Sequence, residues 1–543
     1  MSEFEQVARQ IANPSGAFAA AARVPLLGRI LVAAVGLSLL ALSLYFAPTA
    51  SSIALAALGL GLPLFLLVCV RPELGLLAIV FLTSSFVPAD IIDLRLAIGG
   101  GLDLRDLALL GMLGLLGLQG LARKRLRIPW WPVGVPLLGF LGSALLSALY
   151  ALFFQNVEPN WALSELRGLA YYAVFFIAGW AVTRPHQLTT VLVGLFTLAD
   201  LTAGIVIAQE FLGTKIPLLT AMSAGAWRLW PAAATSGGFG TTRVIPPGHV
   251  LMYFMMIMAF CGLVAPNRTW RQRGALGMQF GLLNLGLLFT YTRAQWVASA
   301  IALGQICIIL LPANKVRFAR VLIAGVLVLL LAHGLLGAEL QESMESSPGL
   351  KALGDRVLSL FRPSETLHSL SIEWRLFETR EAVRSIQEHP LLGVGLGNSY
   401  RSVTTLQGEA RGQFAGGPGA GELSRFTRFL HSSYLSIAVH MGLPALCCFL
   451  WFCAAFLVGG WRLYKSLSAS HLDAVVLAIL AGFLGMLGWS VFHTHLVETP
   501  GTAVAGLMVG LVGITKSTQV AAKAPAHISG RAWSPVPDGR YPA

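Results

Sequence analysis

Apolar stretches of about 20 residues recur along nearly the whole chain, separated by short polar breaks. A helix of that length crosses a hydrocarbon core about 30 Å thick, at 1.5 Å of rise per residue. Inside lipid the backbone must satisfy its own hydrogen bonds, which leaves helices or closed barrels, and segments this long are helices. The qualifying stretches are 28–47, 51–70, 74–89, 104–121, 133–154, 165–182, 187–212, 244–264, 274–290, 294–311, 319–337, 430–459, 473–493 and 500–515. This reads as an all-α polytopic membrane protein with about 14 transmembrane helices, or about 12 if the short third segment and the pair around Thr292 are counted differently. Of the 543 residues, 56% are hydrophobic and 12% charged. Soluble domains carry roughly 25% charged residues, so lipid is the solvent this composition requires.

Lys and Arg then set the orientation. With the N-terminus inside, the cytoplasmic connections hold Arg71-Pro72-Glu73, the run Arg123 to Arg127, Arg184, Arg268 to Arg273, Lys315 to Arg320 and Arg462 to Lys465. The outward connections Asn156 to Ser164 and Thr494 to Thr499 contain no Lys or Arg. Both termini are therefore expected in the cytoplasm. The net charge of +13 is accounted for by these loops and does not call for nucleic acid. Cys69, Cys261, Cys307, Cys447, Cys448 and Cys453 all fall in apolar stretches, which gives neither a disulfide framework nor zinc-ligand spacing. The stretch from Gly28 to Ala47 is too long for the apolar core of a signal peptide, so the first helix is expected to stay.

The expected organisation is a cytoplasmic segment 1–27, helices across 28–337, a large outer loop 338–429, three more helices across 430–515, and a disordered tail 516–543. A second outer segment runs from Gly213 to Arg243. The large loop holds ten Lys and Arg, which is compatible with export because long loops escape the charge bias. Within it, 371–389 reads as an amphipathic helix. Ser371 is its N-cap, Pro390 its stop, and Ile372, Leu376, Val383 and Ile386 its apolar stripe, with Glu373, Arg380, Glu381, Arg384 and Glu388 pointing elsewhere.

This topology puts Arg243, Arg293 and His431, far apart in sequence, at one depth, the outer membrane boundary. Two guanidiniums there suit a lipid diphosphate, whose oxygens the planar fork binds in pairs, and a histidine beside them can accept a proton near neutral pH. Arg at helix ends also snorkels to headgroups, and His at an interface is often structural. Asp90, Asp93, Asp103 and Asp106 share one outward loop, where carboxylates can hold a divalent cation. Asp200 lies mid-span and must pair within the bundle or line a wet path. The run Gly393-Val394-Gly395-Leu396-Gly397 follows a helix, not a strand, so it reads as a tight turn returning to the membrane rather than a nucleotide loop.

Several of these segments together resemble the O-antigen ligase/polymerase superfamily. They are Pro390-Leu391-Leu392-Gly393-Val394-Gly395 closing the loop helix, His431-Ser432-Ser433-Tyr434-Leu435 opening the next span, Thr292-Arg293-Ala294-Gln295-Trp296, and Arg243 through Gly248. Leu104 to Leu107 and Glu165 through Tyr172 resemble weaker N-terminal patterns of the family. Ser432 stands where Asn is common, and Pro444 where Gly is frequent.

The resemblance implies a metal-independent, inverting membrane glycosyltransferase of the bacterial inner membrane that uses no cofactor. Its implied partners are an undecaprenyl-diphosphate-linked glycan donor, a lipid A–core or lipid-linked glycan acceptor, membrane lipids, and a polysaccharide assembly complex; nucleic acid is not among them. His431 is the expected base and Arg243 and Arg293 the diphosphate ligands, with Arg375, Arg380 and Tyr434 as secondary candidates and no metal ligand. Ligase and polymerase stay open as alternatives. A transporter or lipid-linked sugar flippase is the alternative from another class; inverted repeats and mid-membrane charges would mark it.

Overall fold

A computed structural model describes residues 71–84, 104–122, 128–212, 228–231, 242–246, 248–265, 268–310, 370–402, 427–467 and 472–523. The expected spans 28–47, 51–70 and 319–337 lie outside the described residues, as do Asp90, Asp93 and Asp103.

The described chain is a helical bundle. Its helices are α1 (Pro72–Thr83), α2 (Leu104–Ala122), α3 (Trp131–Phe154), α4 (Pro159–Ala170), α5 (Val174–Ala181), α6 (Pro185–Leu212), α7 (His249–Val264) and α8 (Trp270–Leu288). They continue as α9 (Arg293–Leu310), α10 (Leu370–Glu388), α11 (Ser433–Ser466), α12 (Leu472–Trp489) and α13 (Thr499–Lys523). Six of these are long and apolar enough to cross a membrane, namely α2, α3, α6, α9, α11 and α12. The expected span 165–182 is instead broken: α4 and α5 are joined by a 3₁₀ turn at Tyr171–Ala173. α13 runs to Lys523, beyond the expected boundary at 515. One departure from an all-helical chain is a short antiparallel hairpin, β1 (Arg228–Pro231) with β2 (Thr242–Ile245), which pairs Trp230 with Arg243.

The surface of the bundle is itself apolar. Leu145, Leu146, Phe153 and Phe154 on α3 and Ile308 on α9 are exposed, as a lipid-facing surface requires. Inside, Phe140, Tyr172, Phe449 and Phe452 pack ring against ring, with Phe140 and Phe449 centroids 5.1 Å apart. Lipid removes most of the hydrophobic drive between helices, so close contact through small residues matters more. α13 presents Gly506 and Gly510 to the backbone of Tyr172 and Phe175.

Polar contacts gather at two opposite ends of the bundle. At one, Gln187 accepts from the Thr183 and Arg184 amides and donates to Glu73 at 3.0 Å, and Glu73 also meets Arg71. Lys516 lies over the Trp130 ring at the same end. α3 leads from Trp130 to the other end, where Ala151 packs under Gly395.

α11 breaks the helical pattern near that second end. It spans 34 residues, about 51 Å if straight, and Gly442 interrupts it with φ 82° and ψ 171° ahead of Pro444. Only glycine adopts that conformation readily, and a Cβ there would strike the Leu391 carbonyl. The interruption frees carbonyls that residues 390–396 then bind. The Val394 amide donates to Val439 O (2.8 Å), the Gly395 amide to His440 O (3.1 Å), and in return the Leu443 amide donates to Pro390 O (2.8 Å). Ser147 on α3 completes the joint: its hydroxyl donates to His440 O (2.7 Å) and accepts from the Leu396 amide (3.2 Å). The Gly397 amide donates to Glu165 at 2.7 Å. The glycine run is thus a turn against the membrane helices, stitched into a broken helix.

Candidate functional site

α10 forms where the loop helix was expected, but it buries a different face. Leu376 and Val383 are 55% and 44% exposed, whereas Trp374, Glu378, Ala382 and Ser385 are buried. Ile386 is partly buried, and Ile372 lies outside the residues whose side chains are described. The physical reason is a polar anchor: Glu378 is a carboxylate with partners on Trp374, Arg401 and His431, so its side of the helix turns inward.

Glu378, 2% exposed, accepts hydrogen bonds on both oxygens. Oε1 takes the Trp374 indole N–H at 2.9 Å, one turn away, and the Arg401 Nη2 at 3.4 Å. Oε2 takes His431 Nδ1 at 2.7 Å and the His431 amide at 3.4 Å. A carboxylate offers no hydrogen, so Nδ1 carries the ring proton and the Nε2 lone pair is left for chemistry. The His431 side chain is 29% exposed, enough to meet a substrate. Its ring is held edge-on to Phe429, centroids 4.9 Å apart. The Arg401 side chain is buried, with its guanidinium 5.2, 5.5 and 4.9 Å from the Trp374, Phe377 and Tyr400 rings. Those ring faces attract the cation, and the cation balances the buried carboxylate.

The start of α11 is fixed to the connection between α12 and α13. The Ser433 amide donates to Ser490 O (3.0 Å) and its hydroxyl to His493 O (2.7 Å), while the Leu496 amide donates to that hydroxyl at 3.3 Å. From there His495 meets Trp489 edge to face, ring centroids 4.1 Å apart, and its Nε2 lies 3.5 Å from His249 Nε2 at the start of α7. The His249 carbonyl accepts from Gln295 (3.3 Å), one turn into α9. These contacts bring the beginnings of α7, α9 and α11 to one end of the bundle, and with them Arg293 and His431.

Arg293 is the first residue of α9, part-buried, and its Nε has no hydrogen-bond partner among the described residues. Arg243 sits on β2, six residues before His249, and only its backbone position is described.

The secondary candidates separate. Arg375 is part-buried next to Glu378, 5.9 Å from the Phe492 ring. Burial lowers its pKa from the usual guanidinium value, and the Glu378 charge offsets part of that. Arg380 faces outward and is exposed. Tyr434 donates its hydroxyl to Leu487 O at 2.8 Å, tying α11 to α12.

The acidic residues are engaged elsewhere. Asp106 is buried, accepting from the Tyr171 hydroxyl (3.1 Å) and pairing with Arg167 (3.4 Å). Asp200 accepts from Gln279 at 2.7 Å, a pairing within the bundle. Among the described residues no group of three or more His, Cys, Asp or Glu is arranged to hold a metal.

Sequence reasoning passed over Glu378 and Arg401. A faint signal was present: Trp374 and Glu378 are spaced i, i+4, the spacing at which an indole N–H reaches a carboxylate on one helix face.

Residues 278–450 match the family model described as O-antigen ligase. The match runs from α8 through α9 and α10 into α11, and so contains Arg293, Glu378, Arg401, His431 and the joint at Gly442. No curated protein matches the chain. This likeness over residues 278–450 supports membership of the O-antigen ligase superfamily.

Proposed function

We propose that this chain transfers a glycan from a polyprenyl diphosphate to an acceptor hydroxyl at the periplasmic face of the bacterial inner membrane. Membership of the superfamily supports a membrane glycosyltransferase of ligase or polymerase type. The observation that carries the chemistry is the Glu378–His431 pair, with its 2.7 Å contact at Nδ1.

In the proposed reaction His431 Nε2 takes the proton of the acceptor hydroxyl. The acceptor oxygen attacks the sugar's anomeric carbon as the bond to the diphosphate oxygen breaks, inverting that carbon. The polyprenyl diphosphate leaves with the bonding electrons. Negative charge grows on it in the transition state, where the guanidiniums of Arg243 and Arg293 would favour it more than they favour the ground state. Arg375 is a further cation near Glu378, the carboxylate that holds this histidine. Glu378 holds the imidazole in its tautomer and places negative charge next to the ring as it becomes positive. No metal ion has a role in this scheme, because the arginines supply the positive charge.

Ligase and polymerase differ only in acceptor, lipid A–core for one and a second lipid-linked glycan for the other, and the ligase is our leading reading. The test is transfer from lipid-linked donor by purified protein in proteoliposomes. His431→Ala should lower the rate by about 10²–10⁴, and a variant keeping most of its activity excludes this base. Deleting the gene separates the acceptors: bare lipid A–core marks a ligase, core bearing a single repeat a polymerase, and unchanged surface glycans refute both.

A further inference from the structure

An open cleft of about 360 Å³ lies on the outer segment, between the last turns of α10 and residues 394–402. Its wall carries the hydroxyls of Ser385, Ser399 and Ser402, together with Glu388, His389 and Arg401. We infer that this cleft is a carbohydrate subsite, holding sugar rings of the glycan that lie beyond the one at the reacting bond; the inference rests on the transfer reaction proposed above.

The chemistry of the wall selects a polyol. The Ser399 hydroxyl already shares a hydrogen bond with Thr427 Oγ1 at 3.0 Å. With the other two hydroxyls, the carboxylate and the imidazole it still offers donors and acceptors together, which a ring of hydroxyl groups can match. A phosphate or other anion fits less well. Arg401 already faces Glu378 at 3.4 Å, and Glu388 brings negative charge to the rim beside Arg384. Ser385 adds a second, independent observation. It is 4% exposed, and its hydroxyl has no hydrogen-bond partner among the described residues. A buried hydroxyl left unmatched is costly, and a serine within a helix usually bonds the carbonyl one turn back. A hydroxyl of a bound sugar would satisfy it.

The location suits distal sugars. Ser385 and Glu388 lie seven and ten residues after Glu378 on the same helix, about 10 and 15 Å along its axis. Arg401 links the two places, lining the cleft while its guanidinium bonds the carboxylate that holds His431. A glycan with its reacting end at His431 therefore has a polar path along α10.

The test uses full-length protein and donor lipids extracted from the source cells, either intact or trimmed to a single sugar. Ser385→Leu fills the cleft, and Ser402→Leu narrows it from an exposed position. Both variants should raise KM for the intact donor about tenfold, the value of one lost hydrogen bond. Turnover of the trimmed donor should stay within about twofold. Glycan released from the donor by mild acid should bind the wild-type protein and His431→Ala alike, and bind Ser402→Leu more weakly. Equal KM changes for both donors, or undiminished binding of released glycan, overturn the subsite. Absence of transfer by the wild-type protein overturns the proposed reaction instead, and the binding comparison then still decides the cleft.

Discussion

Replacing Glu378 by Gln isolates the electrostatic part of the site. Four donors converge on the carboxylate: Trp374 and Arg401 on Oε1, and the ring and backbone N–H of His431 on Oε2. An amide has one accepting oxygen and an NH₂ group. With its oxygen toward His431, the NH₂ meets the Trp374 and Arg401 donors. With the NH₂ toward His431, Nδ1 must become an acceptor, and the ring hydrogen moves to Nε2, where the base is needed. In either orientation the charge beside the ring is gone. At a charge separation of about 4 Å and an effective dielectric constant of about 20, that charge is worth about 4 kcal/mol to an imidazolium. This corresponds to about a thousandfold in rate. Single-turnover transfer in proteoliposomes should show kcat falling by about that factor with KM little changed, and Glu378→Asp should recover part of the loss. A folded Glu378→Gln protein whose kcat stays within tenfold of the parent would refute the view that this carboxylate acts through His431.

Arg293→Lys keeps the charge but loses the paired donors, so kcat/KM in the same assay should fall about 10- to 100-fold, from one to two lost charge-assisted bonds; near-normal values remove the diphosphate role. Gly442→Ala should lower the thermal unfolding temperature in detergent, since the conformation alone costs a side-chain-bearing residue about 1–3 kcal/mol before its Cβ meets Leu391 O. An unchanged midpoint there would mean the break is not held as described. Because Asp106 is occupied by Arg167 and Tyr171, neither Asp106→Asn nor EDTA should change the transfer rate in a folded protein. A rate that EDTA abolishes and Mg²⁺ restores would assign a metal after all.

Helices α2, α3, α6, α9, α11 and α12 were legible in the chain because length and hydropathy alone decide them. The stop of α10 before Pro390 followed from local chemistry, whereas α11, expected from residue 430, begins at Ser433. The inward face of α10 was misread for a specific reason. Its apolar residues Leu376 and Val383 suggested one stripe, but a buried carboxylate with a nearby cation outweighs two aliphatic side chains in choosing which side is enclosed. That partnership joins residues 378, 401 and 431, and no spacing rule spans such separations. The break at Gly442 was hidden too: a glycine before Leu-Pro is common punctuation, and only the matching amides of Val394 and Gly395 give it a purpose. For Arg293 and His431, loop placement was enough to bring them to the same end, because topology alone fixes which helix starts share a face.

The joint at Gly442 also bears on how the outer segment comes together during synthesis. Residues 390–397 leave the ribosome before residues 439–443 exist, yet the amides of Val394 and Gly395 find their carbonyls only there. This turn therefore cannot complete its bonds until the helix made after it is present. Once that helix arrives, the chain from Glu378 through Pro390, across to Leu443 and back to His431 closes like a clasp. The acid and the imidazole then hang from the same few turns, and their separation is insulated from movements in the rest of the bundle. An excised 338–429 fragment would have half of a clasp and would lack His431.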